Sequence, residues 1–411
     1  MLNPKIITLP NKFRIALDYI PHVNSATVSL WSNVGSKAEN KKNNGISHFL
    51  EHMVFKGTKT RTAFEISEEI ESKGGYLNAW TSKEKTTFYA KVLKNDVAIA
   101  IDILFDMIQN SIFDKAELEK EKGVIVEEIK MYLDNPQDLA YNLYEKLIYQ
   151  DNSLGMPIIG NEHNIKNFKS EDFLYHITQH YTTSNLVFVI SGNFNEQDVL
   201  DRVSLLSEKF NTTNNLIKDQ ISNSSPLFYS KSETLIKKDI EQTNLIYGVN
   251  GYSYMNDDYY KMSIANAILG GGMSCRFFTE IREKRGLAYS IDSFLNSYKE
   301  CGSFAVQVGC NKSNIDTVVS LIQQEIHKAS LDITEKELNK AKNQLKSSIL
   351  MSLESTYSRC ERIANNLLNF NEMKNLSTLI NKIDNCKIDD IKSILTFLNT
   401  NKYTTAIIMQ S

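Results

Sequence analysis

Residues 117–122 read Glu117-Leu118-Glu119-Lys120-Glu121-Lys122, and more than half a chain length later residues 337–342 read Glu337-Leu338-Asn339-Lys340-Ala341-Lys342. The two runs align without a gap, and each begins a long helical pattern. Working outward, Val28–Ser36 (VSLWSNVGS) has a counterpart in Asn244–Gly251 (NLIYGVNG). Gly74–Val92 has one in Arg285–Gly309, both a glycine-led strand, a turn and a second strand. Similarity at a nearly constant offset marks a duplicated unit. Between the copies, Asn211–Pro226 (NTTNNLIKDQISNSSP) collects turn-forming residues without hydrophobic periodicity. The expected architecture is α+β: two related α/β domains, 1–212 and 228–411, each a mostly antiparallel sheet packed against helices, joined by a linker at 213–227.

Composition narrows the function classes. The 411 residues carry 46 Lys and Arg against 49 Asp and Glu, a net charge of −3, which argues against a general nucleic-acid binder. No stretch approaches the length of apolar sequence needed to span a bilayer, so no membrane insertion is expected. The first twenty residues lack the apolar run and small-residue cleavage site of a secretory signal, so a cytoplasmic protein is expected. All five cysteines lie in the second half without metal-ligand spacing, and free buried thiols are the expectation.

Alternation at Phe13, Ile15 and Leu17 predicts a strand, as do Ala26–Val34, Tyr76–Thr81, Thr86–Val92 and Leu186–Ile190. Helices are predicted over Ile46–Phe55, Phe64–Ser72, Asp96–Asn110, Lys115–Leu133 and Glu196–Phe210. The first helix carries His48-Phe49-Leu50-Glu51-His52. Positions i and i+4 share a helix face, so His48 and His52 can offer imidazole nitrogens to one cation. Zinc suits such a pair, and Glu51 is placed to reach a metal-bound water without being a ligand. The order H-x-x-E-H inverts the H-E-x-x-H zinc motif.

A catalytic zinc site needs a third protein ligand and an open position. The acidic helix Lys115–Leu133 offers Glu117, Glu119, Glu121, Glu127 and Glu128. Glu121 and Glu128 are two helical turns apart and share a face, whereas Glu127 is rotated away by about 100°. One carboxylate could take the metal and the other orient a ligand histidine. The second copy sharpens this reading. Its matching helix, around Met262–Leu269, has neither histidine nor glutamate, and Ala341 and Ser348 stand where the first copy has Glu121 and Glu128. Scattered surface charges have no reason to vanish together from one copy. A second pair, His176 and His180, has Gln179 at the position equivalent to Glu51, so it reads as helix-surface or core histidines.

With these residues assembled, the sequence resembles the pitrilysin-type zinc peptidases, and among them the processing peptidases: the mitochondrial processing peptidase β-subunit and its short bacterial relatives. The motif continues as Met53-Val54-Phe55-Lys56-Gly57-Thr58, as in that family. The family's third ligand is a glutamate that falls here on Glu128, and its supporting acid on the same helix falls on Glu121. Leu154, Gly155 and Gly160, with the isoleucine at 158 between them, fit its L-G-x-x-I-x-G stretch. Gly270-Gly271-Gly272-Met273-Ser274-Cys275-Arg276 resembles its glycine-rich segment, with Cys275 in place of a usual serine. That run lacks the Lys-Ser/Thr ending of a phosphate loop. Arg282 and Tyr289 match the family's substrate-contacting pair.

The resemblance implies one Zn²⁺ per chain on His48, His52 and Glu128, with Glu121 supporting and Glu51 as general base. It implies that Tyr289 and Arg282 hold substrate. It further implies that Asn78 and Ala79, in Gly75-Tyr76-Leu77-Asn78-Ala79-Trp80-Thr81, line an edge strand that receives an extended peptide. Short unfolded peptides or presequence-like segments are the implied substrates, and a homodimer the implied assembly. The alternative is a catalytically silent structural or partner subunit of the same family; here every ligand and the base are retained.

Overall fold

The computed structural model describes residues 2–212 and 232–411, so the expected linker at 213–227 lies outside the described residues. In the first half the strands are β1 (Lys5–Thr8), β2 (Arg14–Tyr19), β3 (Ser25–Ser32), β4 (Tyr76–Thr81), β5 (Thr86–Leu93) and β6 (Leu186–Gly192). The helices are α1 (Ile46–Met53), α2 (Ala63–Glu71), α3 (Val97–Gln109), α4 (Lys115–Asp134), α5 (Pro136–Tyr149), α6 (Glu162–Asn167), α7 (Ser170–His180) and α8 (Glu196–Ser207). The second half contributes β7 (Glu233–Lys238), β8 (Thr243–Gly251), α9 (Tyr259–Gly270), β9 (Ala288–Ser297) and β10 (Gly302–Cys310). It continues with α10 (Ile315–Asp332), α11 (Glu335–Ser352), α12 (Thr356–Phe370), α13 (Leu376–Asp384), α14 (Ile388–Thr400) and β11 (Thr404–Gln410).

The strands form two sheets, ordered β1-β2-β6-β3-β5-β4 and β7-β11-β8-β10-β9. Beyond the extra edge strand β1, the orders correspond one for one. Each sheet has a single parallel pair, β2 with β6 and β7 with β11, and its other pairs are antiparallel. The duplication read from the sequence is thus a duplication of topology, and the fold is the expected α+β class. The five cysteines are buried thiols in no disulfide.

Contacts divide the chain into two compact units that interleave along the sequence. One takes residues 1–130, 156–223 and 351–374, and the other 131–155, 224–350 and 375–411. The expected boundaries at 1–212 and 228–411 follow the two sheets, but each half gives one helix to the unit built on the other sheet. Helix α12 shows an apolar stripe at Cys360, Ile363, Ala364 and Leu367, the i, i+3, i+4, i+7 spacing of a helix face. It packs on Ala16, Trp31, Val187 and Val189 of the first sheet. Polar contacts fix it there: Arg359 donates to both oxygens of Asp18 (2.6 and 2.8 Å), and Arg14 donates to the Leu367 carbonyl (2.8 Å). In the other unit, Ala140, Tyr144 and Ile148 of α5 pack with Ile246, Ala305, Ala406 and Ile408.

This arrangement explains the apolar runs. Along β6, Leu186, Phe188 and Ile190 enter the larger helix-packed core, whereas Val187 and Val189 face α12. A strand buried on both faces loses the polar alternation of a half-exposed one. At roughly 1.5–3 kcal/mol for each fully buried large aliphatic side chain, the second layer is a large part of each unit's stability. Strand β4 ends the first sheet and, among the described residues, pairs only with β5.

Candidate metal centre

Helix α1 buries Phe49, Leu50 and Met53 and turns His48, Glu51 and His52 to the opposite side. Its start is held by several contacts. Gly45 precedes it at φ +102°, a left-handed conformation suited to glycine. The buried Glu39 carboxylate accepts from the backbone N–H of Gly45 (2.7 Å) and Ser47 (2.8 Å) and from the Asn44 amide (3.0 Å), satisfying donors at the helix N-terminus. Gly45 also lies against Gly160, itself at φ +83°. A Cβ on Gly160 would sit 2.6 Å from the Asn44 carbonyl oxygen and 2.6 Å from the Gly45 Cα. The glycine at the end of the Leu154–Gly160 stretch therefore lets a loop close onto the start of α1.

Helix α4 supplies the carboxylates. His48 Nε2 lies 3.8 Å from Glu128 Oε1, and His52 Nε2 lies 3.7 Å from Glu128 Oε2. One ligand atom from each of these three residues falls within 4.8 Å of the others, the single such group among the described residues. Four ligands about 2 Å from a tetrahedral centre stand roughly 3.3 Å apart, so the spacing suits a zinc ion. The other imidazole nitrogen of His52, Nδ1, bonds to Glu121 Oε1 at 2.8 Å, and Glu121 also pairs with Lys56 at 2.7 Å. Glu121 is thus the partner that orients His52, with both Nε2 atoms left facing Glu128.

The electrostatics fit a cation. Burial, with His52 nearby, pushes the His48 pKa down to about 3, so its imidazole is neutral and its lone pair available. Burial would also lower His52, but the Glu121 hydrogen bond and the charges of Glu121, Glu128 and Glu51 raise it. Burial lifts Glu128, partly offset by His52. Burial opposes ionisation of Glu121 too, yet His52 and Lys56 hold its pKa low. Three carboxylates gathered around two imidazoles form a site that a divalent cation would neutralise.

Glu51 is half-buried, and desolvation raises its pKa; the Thr81 hydroxyl and His52 oppose that rise. Thr81 Oγ1 donates to Glu51 Oε2 at 2.6 Å. Glu127 points away from the centre and pairs with Lys130 at 2.7 Å. The His176 and His180 rings lie with centroids 4.5 Å apart and planes tilted by 49°, and neither belongs to a group of three possible ligands among the described residues.

Asn78 and Ala79 stand on β4 as expected. The Ser82 N–H bonds to the Lys85 carbonyl across the β4–β5 turn. By antiparallel alternation, the main-chain groups of Tyr76, Asn78 and Trp80 then point inward to β5, and those of Leu77, Ala79 and Thr81 point to the open edge. In keeping with this, the Ala79 N–H is taken by its neighbour's Asn78 Oδ1 at 2.8 Å. The Asn78 amide donates to the Tyr76 hydroxyl at 2.5 Å. Arg282 and Tyr289 belong to the other unit and stand together there. The Arg282 guanidinium lies 4.6 Å from the Phe278 ring centroid and 5.9 Å from that of Tyr289, which is 72% exposed. Sequence reasoning missed Glu39, Lys56 and Thr81. Lys56, one turn beyond His52, was the one with a helical-spacing signal.

Comparison with known proteins identifies the family. Residues 14–162 match the family model described as "Insulinase (Peptidase family M16)", and residues 167–345 match "Peptidase M16 inactive domain". The chain is 38% identical over 407 residues to an "Uncharacterized zinc protease" of Rickettsia felis, covering 99% of this chain and 97% of that one. It is 37% identical over 408 residues to "Uncharacterized zinc protease YmxG" of Bacillus subtilis, covering 99% and 98%. Among solved structures, a peptidase M16 inactive domain from Pseudomonas fluorescens superposes with TM-score 0.91 at 18% identity, covering 100% of this chain and 98% of that one. A protease from Helicobacter pylori does so with TM-score 0.87 at 21% identity, covering 99% of both. Both show the same fold. No helix among the described residues is long and apolar enough to cross a membrane.

Proposed function

The chain belongs to the insulinase family of peptidases, peptidase family M16, and from that premise we propose that it is a zinc metalloendopeptidase acting on short unfolded or presequence-like peptides. The observation that carries this reading is the convergence of His48, His52 and Glu128 within 4.8 Å, beside a carboxylate that is not one of the three. Bound there, zinc supplies Lewis acidity: it acidifies a coordinated water and polarises a carbonyl.

The chain's own residues do the rest. His48 presents a neutral nitrogen, His52 would offer Nε2 to the metal once its proton has left, and Glu128 would contribute the anionic oxygen. Glu121 holds His52 in one orientation through Nδ1. Glu51 accepts the proton of the attacking water and returns it to the leaving amine, and a carboxylate raised by burial suits both steps. The open edge of β4, with Asn78 and Ala79, receives an extended peptide as an added strand. Arg282 and Tyr289, from the degenerate second copy at 228–411, hold the substrate and stabilise charge developing on its carbonyl oxygen. The copy at 1–212 carries the metal and the base. The proposed assembly is a homodimer in the cytoplasm that confines substrate between its halves.

The test is to measure bound zinc and peptide cleavage for wild type and Glu51→Gln. The variant should keep its zinc and lose turnover by at least roughly 10²–10⁴-fold. Wild-type cleavage by Glu51→Gln would remove Glu51 from the mechanism. Full-length Arg282→Ala and Tyr289→Phe variants that cleave peptide at the wild-type rate would remove Arg282 and Tyr289.

A further inference from the structure

We propose that Thr81 is a positioning residue for Glu51, one that ties the strand receiving the peptide to the group that moves the proton. The inference rests on the reading of Glu51 as base and goes beyond it.

Thr81 closes β4, and its two ends point in different directions. Its main-chain N–H and C=O belong to the set that faces the open edge, with Leu77 and Ala79. Its side chain faces the opposite way from those of Asn78 and Trp80, by the two-residue period of a strand. That direction is the side where α1 packs on the sheet, and there the hydroxyl donates to Glu51 Oε2 at 2.6 Å. The Ser47 carbonyl is 3.5 Å from the same hydroxyl, too long to compete. Among the described residues no protein donor reaches Glu51 Oε1, so Oε1 is the oxygen free to take a proton.

A glutamate side chain has three rotatable bonds, and a base loses rate when its oxygen wanders from the proton it must take. Anchoring Oε2 removes most of that freedom. Because the anchor stands on the docking strand itself, a peptide paired with the Ala79 carbonyl and the outward main-chain groups of Thr81 is registered against the strand that sets the base. Binding and proton transfer share one residue, so displacing the strand displaces both.

Thr81→Val keeps the shape and removes the donor, and Thr81→Ser keeps the donor and removes the methyl. Full-length T81V, T81S and E51Q would be assayed with a quenched fluorogenic peptide, alongside bound zinc. T81V should lose roughly 10- to 100-fold in kcat, the range set by one hydrogen bond to a charged group, with KM and zinc content unchanged. T81S should recover most of the loss. A residue that merely packs would show the reverse order, since serine lacks the methyl and valine keeps it. T81V turning over at the wild-type rate while E51Q is inactive overturns the role of Thr81 and leaves the base assignment standing. T81S as impaired as T81V also overturns it. Wild-type turnover by E51Q overturns both.

Discussion

Glu121→Gln separates the ligands from the residue that orients them. The carboxylate is 7% exposed and makes two close contacts, 2.8 Å to His52 Nδ1 and 2.7 Å to Lys56 Nζ. It is ionised at neutral pH, because those two partners hold its pKa low against burial. Glutamine fills the same space and can still accept from the imidazole, but without charge. Charge-assisted hydrogen bonds are roughly twice as strong as neutral ones, so the His52 contact loses about 1 kcal/mol. Lys56 loses its anion but is 30% exposed and rehydrates, adding about 0–1 kcal/mol. The sum, about 1–2 kcal/mol, weakens zinc binding roughly 5- to 30-fold, overlapping the roughly 10- to 100-fold loss typical of residues behind metal ligands. Competition against a chromophoric chelator at fixed pH measures this directly, and turnover should return toward wild type as zinc is raised. An unchanged zinc dissociation constant would show that the His52–Glu121 bond orients nothing. Loss of binding as complete as for His52→Ala would make Glu121 a ligand.

Three further substitutions test the scaffold. Asp106 accepts from Thr58, Thr60, Arg61 and Asn110. Burial works against its charge, yet these bonds bring its pKa below the ordinary 3.8. A lowered folded-state pKa gives stability that is present above the unfolded value and lost as pH falls through the folded one. Asp106→Asn should therefore cost about 1–3 kcal/mol in urea unfolding at neutral pH, with the gap to wild type closing in acid below 3.8; a gap independent of pH would contradict this. Gly160→Ala brings a Cβ to 2.6 Å from the backbone of Asn44 and Gly45 at φ +83°, so it should lower the melting temperature and the zinc affinity together. A stable variant with normal zinc binding would show that the loop does not hold α1. Leu367→Ala empties a site 2% exposed between α12 and the first sheet and should cost about 2–5 kcal/mol; a loss under 1 kcal/mol, read by denaturant titration, would refute the packing described for α12.

The parts of the molecule legible in the sequence are those governed by short-range periodicity. The face shared by His48 and His52, and that shared by Glu121 and Glu128, follow from helical spacing. The comparison of the two copies by itself points to the acidic helix. What stayed hidden arrives from elsewhere in the chain. Thr81 meets Glu51 only because β4 folds against β5 and α1 packs on that hairpin. Glu39 reaches Gly45 and Ser47 from a loop, and no periodicity records a loop's path. The exchange of α5 and α12 was equally invisible. Cys360, Ile363, Ala364 and Leu367 announce a buried helix face, but an apolar stripe does not say which of two similar sheets it will cover.

The crossed helices make the halves mutually dependent. If the backbone is cut between the two sheets, each fragment carries a helix belonging to the other and lacks the one that seals its own sheet. Fragments 1–212 and 232–411 should therefore behave as a split protein, insoluble or unfolded apart and complementing when mixed.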